Sequence, residues 1–162
     1  MTTLLPDFAD LADLAQQAVL CWLATVDNQG QPNVSPKEIF AFLNPQQLVI
    51  ANIASPQSVR NLQAQPAVCV SLIDIFTQKG LKLYGQARYV PAQAAMSEPQ
   101  YHEWLAPLTA MTGGAFPIHG IIVVTLTQSS PIVAPSYRLF PAQSQAEKVA
   151  SAHRRYGVKP LD

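Results

Sequence analysis

Ser35 and Lys37 are the first residues along the chain whose types and spacing suggest a binding chemistry. Lys37 is the first basic residue in the sequence, and it lies within a β-rich run. Side chains of a strand alternate between its two faces, so Ser35 and Lys37 share one face. An ammonium beside a hydroxyl suits the oxygens of a phosphate group. The alternative is a solvated lysine at the edge of a sheet, paired with the neighbouring Glu38.

A second group of polar residues begins at Ser55. Ser55-Pro56 joins a preferred N-cap residue to the residue preferred at the first helical position, and this pair predicts a helix. The free N–H groups at a helix N-terminus suit a phosphate, with the hydroxyl of Ser58 and the guanidinium of Arg60 as further donors. The alternative is a connecting helix that Ser55 caps and whose Arg60 faces water.

The remaining reactive side chains form no catalytic or metal-binding motif. The two cysteines, Cys21 and Cys69, lie in apolar runs without a Cys-x-x-Cys pattern, which favours reduced thiols in the core. The three histidines, His102, His119 and His153, lack the spacing of metal ligands. No nucleophile stands in a pattern with a base, and no carboxylates are paired, which argues against a hydrolase. We therefore predict no metal site and assign no catalytic residue.

Charge and hydropathy exclude several classes of protein. Ten basic and ten acidic residues cancel to a formal charge of zero, which argues against nucleic-acid binding. The longest apolar run, residues 120–126, is far shorter than the roughly 20 residues that span a bilayer. Aspartates stand near the start where a signal peptide carries positive charge, so we expect a cytoplasmic protein. Only 12% of the residues are charged and 49% are hydrophobic, so we expect a partner subunit to cover part of the apolar surface.

Hydrophobic periodicity predicts six strands and four helices. The strands fall within residues 20–26, 34–42, 48–52, 68–73, 81–88 and 118–126. The helices cover about residues 7–18, 56–64, 98–111 and 145–155. Capping-box patterns at Ser97-Glu98-Pro99-Gln100 and Ser144-Gln145-Ala146-Glu147 introduce the last two helices.

The order of these elements favours one architecture. The strands follow one another through short turns instead of alternating regularly with helices, which is typical of an antiparallel sheet. Closing six strands into a barrel removes exposed edges. We therefore predict one domain over residues 1–162, mainly β, with a six-stranded antiparallel barrel and peripheral helices.

A series of short motifs between residues 23 and 89 resembles a known family by its order and spacing. The motifs are LATVD (23–27), GQPNVSPKE (30–38), LVIAN (48–52), SVRNL (58–62), PAV (66–68) and GLKLYGQA (80–87). In this order they resemble the pyridoxamine 5'-phosphate oxidase-like family of FMN-binding split-barrel proteins. The resemblance implies a homodimer of six-stranded split barrels that holds FMN in clefts at the subunit interface.

The same resemblance implies which residues bind FMN. In the family the flavin lies along the second strand, and basic and hydroxyl side chains of that strand and of the turn after the third strand hold its phosphate. The fifth strand passes near the ring, where Gly80 permits either the close approach of a flat ring or a β-bulge. The positions implied here are Ser35, Pro36, Lys37, Asn52, Ser55, Ser58, Arg60, Asn61, Lys79 and Gly80.

Two departures from the oxidase pattern bear on the activity. Gln57-Ser58 stands where the oxidases carry an Arg-Lys pair, and Arg138-Leu139-Phe140 where they carry Arg-Leu-His. We therefore expect weak or no turnover of pyridoxamine or pyridoxine 5'-phosphate. Two functions stay open: a flavin-dependent oxidoreductase acting on an unidentified small molecule, and a non-catalytic protein for FMN binding, storage or electron delivery. Haem, which some split-barrel relatives bind, needs an axial ligand such as His119 or His153 and ranks below FMN.

Overall fold

A computed structural model describes residues 4–159, and its centre is one antiparallel sheet of seven strands. The strands are β1 (Cys21–Val26), β2 (Pro32–Lys37), β3 (Phe40–Asn44), β4 (Gln47–Asn52), β5 (Ala67–Asp74), β6 (Lys79–Pro91) and β7 (Gly120–Val133). Their order across the sheet is β2-β1-β5-β6-β7-β4-β3. The prediction of a mainly β, antiparallel protein is confirmed.

The predicted six strands become seven because residues 34–42 are not one strand. The chain bends at Glu38 and Ile39, so that Lys37 pairs with Cys21 of β1 whereas Phe40 pairs with Ile50 of β4. β2 and β3 therefore lie at opposite ends of the strand order, although only two residues connect them. Such a short link spans at most about 10 Å, so the sheet has to curl until its two ends meet. Side-chain alternation does not reveal this bend, because residues on both sides of it have strand character.

Two apolar clusters lie on the two faces of the curled sheet. Leu48 and Ile50 belong to the larger cluster inside the curl, and Val49 between them belongs to the smaller cluster outside it. The outer cluster buries Trp104 and other residues of the helix α3 (Tyr101–Thr112). Because both faces of β4 and of the first part of β7 are covered, residues 48–51 and 120–124 are continuous apolar runs rather than alternating ones.

Four helices lie close to the predicted places, whereas the short helix over residues 136–139 and a 3-10 helix were not predicted. The helices are α1 (Phe8–Ala18), α2 (Pro56–Ala64), α3, α4 (Ser136–Leu139) and α5 (Gln145–Tyr156), with the 3-10 helix at Ala92–Met96. The capping box at Ser144 is present, since its hydroxyl accepts from the N–H of Glu147 and the Glu147 carboxylate accepts from the N–H of Ser144. None of the helices within residues 4–159 is long and apolar enough to cross a membrane.

The capping box predicted at Ser97 is wrong. The hydroxyl of Ser97 donates to the carbonyl of Ala94 at 3.1 Å and so completes the preceding 3-10 turn. The carboxylate of Glu98 accepts from the guanidinium of Arg88 at 2.8 Å instead of bonding to the N-terminus of α3. Helix α3 therefore begins later than predicted, at Tyr101.

Candidate functional site

A cavity of about 390 Å³ opens where the end of β2 faces the end of β4 and the start of α2. Its polar lining residues are Ser35, Lys37, Ser55 and the exposed Glu38, whereas the other lining residues are apolar. The complete lining is Ser35, Pro36, Lys37, Glu38, Ile39, Ala51, Ile53, Ala54, Ser55 and Phe116. The curl of the sheet therefore brings β2 and the β4–α2 connection, which the resemblance singled out, to one cavity.

The ammonium of Lys37 lies at the polar side of this cavity without a counter-charge. Only 6% of the residue is exposed, and its Nζ donates to the Ser35 hydroxyl at 2.6 Å and to the Ser55 hydroxyl. Within residues 4–159 the one ion pair is that between Arg88 and Glu98. The alternative of a solvated lysine paired with a neighbouring glutamate is therefore wrong.

Burial changes the ionisation of both Lys37 and its cross-strand neighbour Cys21. Loss of hydration lowers the pKa of Lys37 below its usual 10.5. Burial also raises the pKa of the Cys21 thiol to about 12, so this thiol stays neutral at pH 7 and does not balance the ammonium. A buried ammonium that has only hydroxyl partners is unfavourable until an anion joins it.

Ser55 occupies the N-cap position of α2, but its side chain does not cap the helix. Its hydroxyl accepts from Lys37, and its backbone N–H donates to Asn52 Oδ1 at 3.2 Å. The first turn of α2 is thus left without a side-chain cap beside a buried ammonium. Backbone N–H groups in this situation suit an anion.

Asn52 does not line the cavity but supports its wall through hydrogen bonds. Its backbone carbonyl accepts from the N–H of His119 at 2.9 Å, and its Nδ2 donates to the hydroxyl of Tyr89 at 3.4 Å. The Tyr89 hydroxyl in turn donates to the carbonyl of His119 at 3.0 Å. Together with the bond to Ser55, this network ties the start of α2 to the segment that leads into β7.

Ser58 and Asn61 form a second polar group on the buried face of α2. The amide of Asn61 donates to the Thr25 hydroxyl at 3.0 Å. The amide of Asn33 donates to the same hydroxyl at 3.3 Å and to the hydroxyl of Ser58 at 3.5 Å. These bonds attach α2 to β1 and β2, and neither Ser58 nor Asn61 lines the cavity. Sequence reasoning missed Asn33, although it shares a strand face with Ser35.

Arg60, Lys79 and Gly80 lie away from the cavity in this chain. Arg60 is exposed and donates to Gln57 Oε1 at 2.7 Å. The ammonium of Lys79 lies 4.4 Å from the centre of the Tyr137 ring. The role of these three residues in FMN binding stays a prediction.

Phe116 is the lining residue that sequence reasoning missed completely. The other nine lining residues fall within residues 35–55, and Phe116 follows α3 more than sixty positions later. No local pattern announces it, because only the packing of α3 on the outside of the sheet brings its loop to the cavity.

Solved structures with a similar fold define the class of this protein. An FMN-binding protein from Syntrophomonas wolfei matches with a TM-score of 0.59 at 15% identity, over 78% of this chain and 91% of its own. HutZ, the haem storage protein from Vibrio cholerae, matches with a TM-score of 0.58 at 20% identity, over 78% and 93%. An F420 reductase matches with a TM-score of 0.53 at 27% identity, over 73% and 94%. The fold is that of the FMN-binding split barrels.

The sequence places the chain more narrowly within that class. Residues 9–130 match the family model described as pyridoxamine 5'-phosphate oxidase. The chain belongs to the pyridoxamine 5'-phosphate oxidase family, and the resemblance inferred from its motifs is confirmed. No curated protein sequence matches the chain. The three solved structures differ in the ligand or activity that their names give, so the fold alone does not assign a ligand.

Proposed function

We propose that this protein binds FMN and that the ammonium of Lys37 holds the FMN phosphate. One observation carries the proposal: Lys37 is buried at the cavity with two hydroxyl partners, and no carboxylate of residues 4–159 forms an ion pair with it, although the exposed Glu38 also lines the cavity. A phosphate supplies the missing negative charge. The hydroxyls of Ser35 and Ser55 accept from Lys37 through their oxygens, so their O–H groups stay free to donate to phosphate oxygens.

The rest of the cavity suits the remainder of the cofactor. Its apolar lining favours a flat ring, and family membership supports a flavin. Bound FMN supplies hydride or electron transfer, for which no side-chain acid or base is required. We therefore propose a flavin-dependent oxidoreductase that acts on an unidentified small molecule, with Lys37, Ser35 and Ser55 orienting the cofactor through its phosphate.

The departures from the oxidase pattern support a substrate other than pyridoxamine 5'-phosphate. Gln57, at the place of an oxidase basic residue, is exposed and bonds to Asn61 at 2.7 Å and to Arg60 at 2.7 Å. Arg138 and Leu139 lie in α4, and neither lines the cavity beside Lys37. Haem has less support than FMN, because neither His119 nor His153 lines that cavity.

The absorbance spectrum of the purified protein tests the proposed cofactor. After incubation with FMN and removal of the excess, we expect flavin bands that bleach with dithionite and return in air. A protein that takes up no FMN at micromolar concentration contradicts the proposal. A Soret band after addition of haem, without FMN uptake, would support the haem alternative instead.

The outer face of β1 and β2 supports the proposed homodimer. Trp22 and Val34 are exposed, and across the strand pair Trp22 faces Pro36 while Ala24 faces Val34. A second copy of this chain would cover these apolar side chains. Pro36 also lines the cavity, so that a partner on this face borders the FMN site, as the family resemblance implies.

A charge in this face is expected to separate the subunits. We predict that Trp22→Glu converts a dimer into a monomer, because the dimer would have to bury an unpaired carboxylate at its interface. Sedimentation equilibrium measures this change. Leu139→Glu in α4, at another exposed apolar residue, is the matched control and should remain dimeric. A monomeric unsubstituted protein contradicts the proposed dimer.

Two further observations support the expectations of a single domain and of a cytoplasmic location. All seven strands of residues 4–159 belong to one sheet, which supports a single domain. Cys21 and Cys69 are free thiols, which suits the reducing cytoplasm.

A further inference from the structure

Among residues 4–159, Phe116 is the one large aromatic side chain that lines the cavity. It shares the apolar part of the lining with Ile39, Ala51 and Ile53, and it belongs to neither apolar cluster of the fold. With 56% of its surface exposed, it leaves much of its ring at the mouth of the cavity. Its position is therefore not explained by the packing of the protein core.

The loop that carries Phe116 follows two glycines at one end, is held by a hydrogen bond at the other end and has no regular structure between them. On one side, Gly113 and Gly114 adopt φ values of 57° and 78°, and nothing lies within 4 Å of a Cβ built on either. These glycines serve the left-handed backbone that ends α3 rather than tight packing. On the other side, the N–H of His119 donates to the carbonyl of Asn52 at 2.9 Å. The bond to Asn52 holds the loop next to the residue that also supports Ser55.

The cavity thus has a cationic end at Lys37 that suits a phosphate. Its apolar part includes the aromatic ring of Phe116. An aliphatic wall alone favours any apolar group, whereas an aromatic ring beside it favours a flat conjugated partner through offset stacking or edge contacts. A sugar phosphate or an inorganic anion would use Lys37 but gain nothing from Phe116. The combination points to a ligand that carries a planar ring and an anionic tail.

We propose that Phe116 packs against the isoalloxazine ring of the bound flavin and determines the preference of the site for a flat conjugated ligand. This inference rests on the proposed FMN binding and adds a residue to it. Lys37 recognises the phosphate, and Phe116 recognises the ring. The two contributions are separable, because riboflavin is FMN without its phosphate.

Titrations of Phe116→Ala with FMN and with riboflavin test the inference. Loss of an aromatic contact with the ring weakens both ligands by the same factor, about tenfold, and leaves the ratio of the two dissociation constants unchanged. Phe140→Ala is the matched control: Phe140 is 55% exposed and lies outside the cavity lining. Iodide quenching of the bound flavin should increase in the Phe116 variant and stay unchanged in the control. Equal melting temperatures establish that both variants are folded.

Each other outcome rejects a stated part of the argument. FMN and riboflavin dissociation constants equal to those of the unsubstituted protein would overturn the role of Phe116 and leave the proposed function intact. Weakening of FMN alone would also overturn it, because Phe116 would then act at the phosphate end. Failure of the unsubstituted protein to bind FMN would overturn the proposed function, and the inference with it.

Discussion

Replacing Lys37 with Met is expected to weaken FMN binding by about 100-fold while changing riboflavin binding by less than about threefold. Truncating one partner of a buried charge pair costs about 2–5 kcal/mol, and about 2.7 kcal/mol corresponds to this factor. Met keeps the length and the apolar stem of Lys but has no charge, so the ring end of the cavity stays intact. Isothermal titration of both ligands at constant salt measures the two effects.

The same substitution is expected to stabilise the protein in the absence of FMN. Because burial lowers the pKa of Lys37 in the folded state, the unfolded chain holds this proton more tightly. The charge of Lys37 therefore opposes folding at pH 7, and the opposition fades as the pH rises through the lowered pKa towards 10.5. We expect Lys37→Met to raise the melting temperature by about 2–5 °C at pH 7, and the difference to shrink at pH 10.

Lys82→Met provides the control for both measurements. Lys82 is an exposed residue of β6 outside the cavity, so its loss should affect neither FMN affinity nor stability measurably. Ser58→Ala should weaken FMN binding less than Lys37→Met, because Ser58 is buried on the inner face of α2 and does not line the cavity. An unchanged FMN-to-riboflavin ratio in Lys37→Met would show that the phosphate binds elsewhere.

Gly80→Ala is expected to destabilise the fold severely, whether or not FMN is present. A Cβ at this position would lie 2.0 Å from the carbonyl oxygen of Leu72 and 2.8 Å from the Cα of Ile73, both backbone atoms of β5. Backbone of a paired strand cannot rotate away, so β5 and β6 would have to separate. We expect the free energy of unfolding to fall by about 3 kcal/mol or more, measured by urea denaturation of the FMN-free protein.

The sequence left open whether Gly80 permits the close approach of a flat ring or marks a β-bulge. Gly80 pairs with Ile73 in regular register, so the β-bulge is wrong, and this experiment separates close approach of β5 from a role at the flavin ring. If the glycine permits close approach of β5, stability falls while Lys82→Ala in the same strand remains near the unsubstituted value. If Gly80→Ala is as stable as the unsubstituted protein and loses only FMN affinity, the glycine serves the flavin ring instead. The contact with Leu72 favours the first result.

Local patterns were enough to predict the family and most of the elements, but not the division of residues 34–42 into two strands. The N-cap signal at Ser55-Pro56 and the capping box at Ser144 depend on residues a few positions apart, and helices begin at both places. The family motifs also keep their order along the chain, which needs no knowledge of contacts. The shared strand face of Ser35 and Lys37 follows from alternation alone, and the two residues are hydrogen-bonded.

Tertiary structure decided what these residues are next to. The bend at Glu38 and Ile39 joins the two ends of the sheet, and this closure buries Lys37 against Ser55 of another element. Sequence spacing could not distinguish that ammonium from a solvated lysine, because burial depends on chain segments that arrive from elsewhere. The same reason hides Phe116, which reaches the cavity only through the packing of α3. Residue type and alternation thus determined the chemistry available on β2. Long-range strand pairing determined that the ammonium of Lys37 is buried without a carboxylate as ion-pair partner.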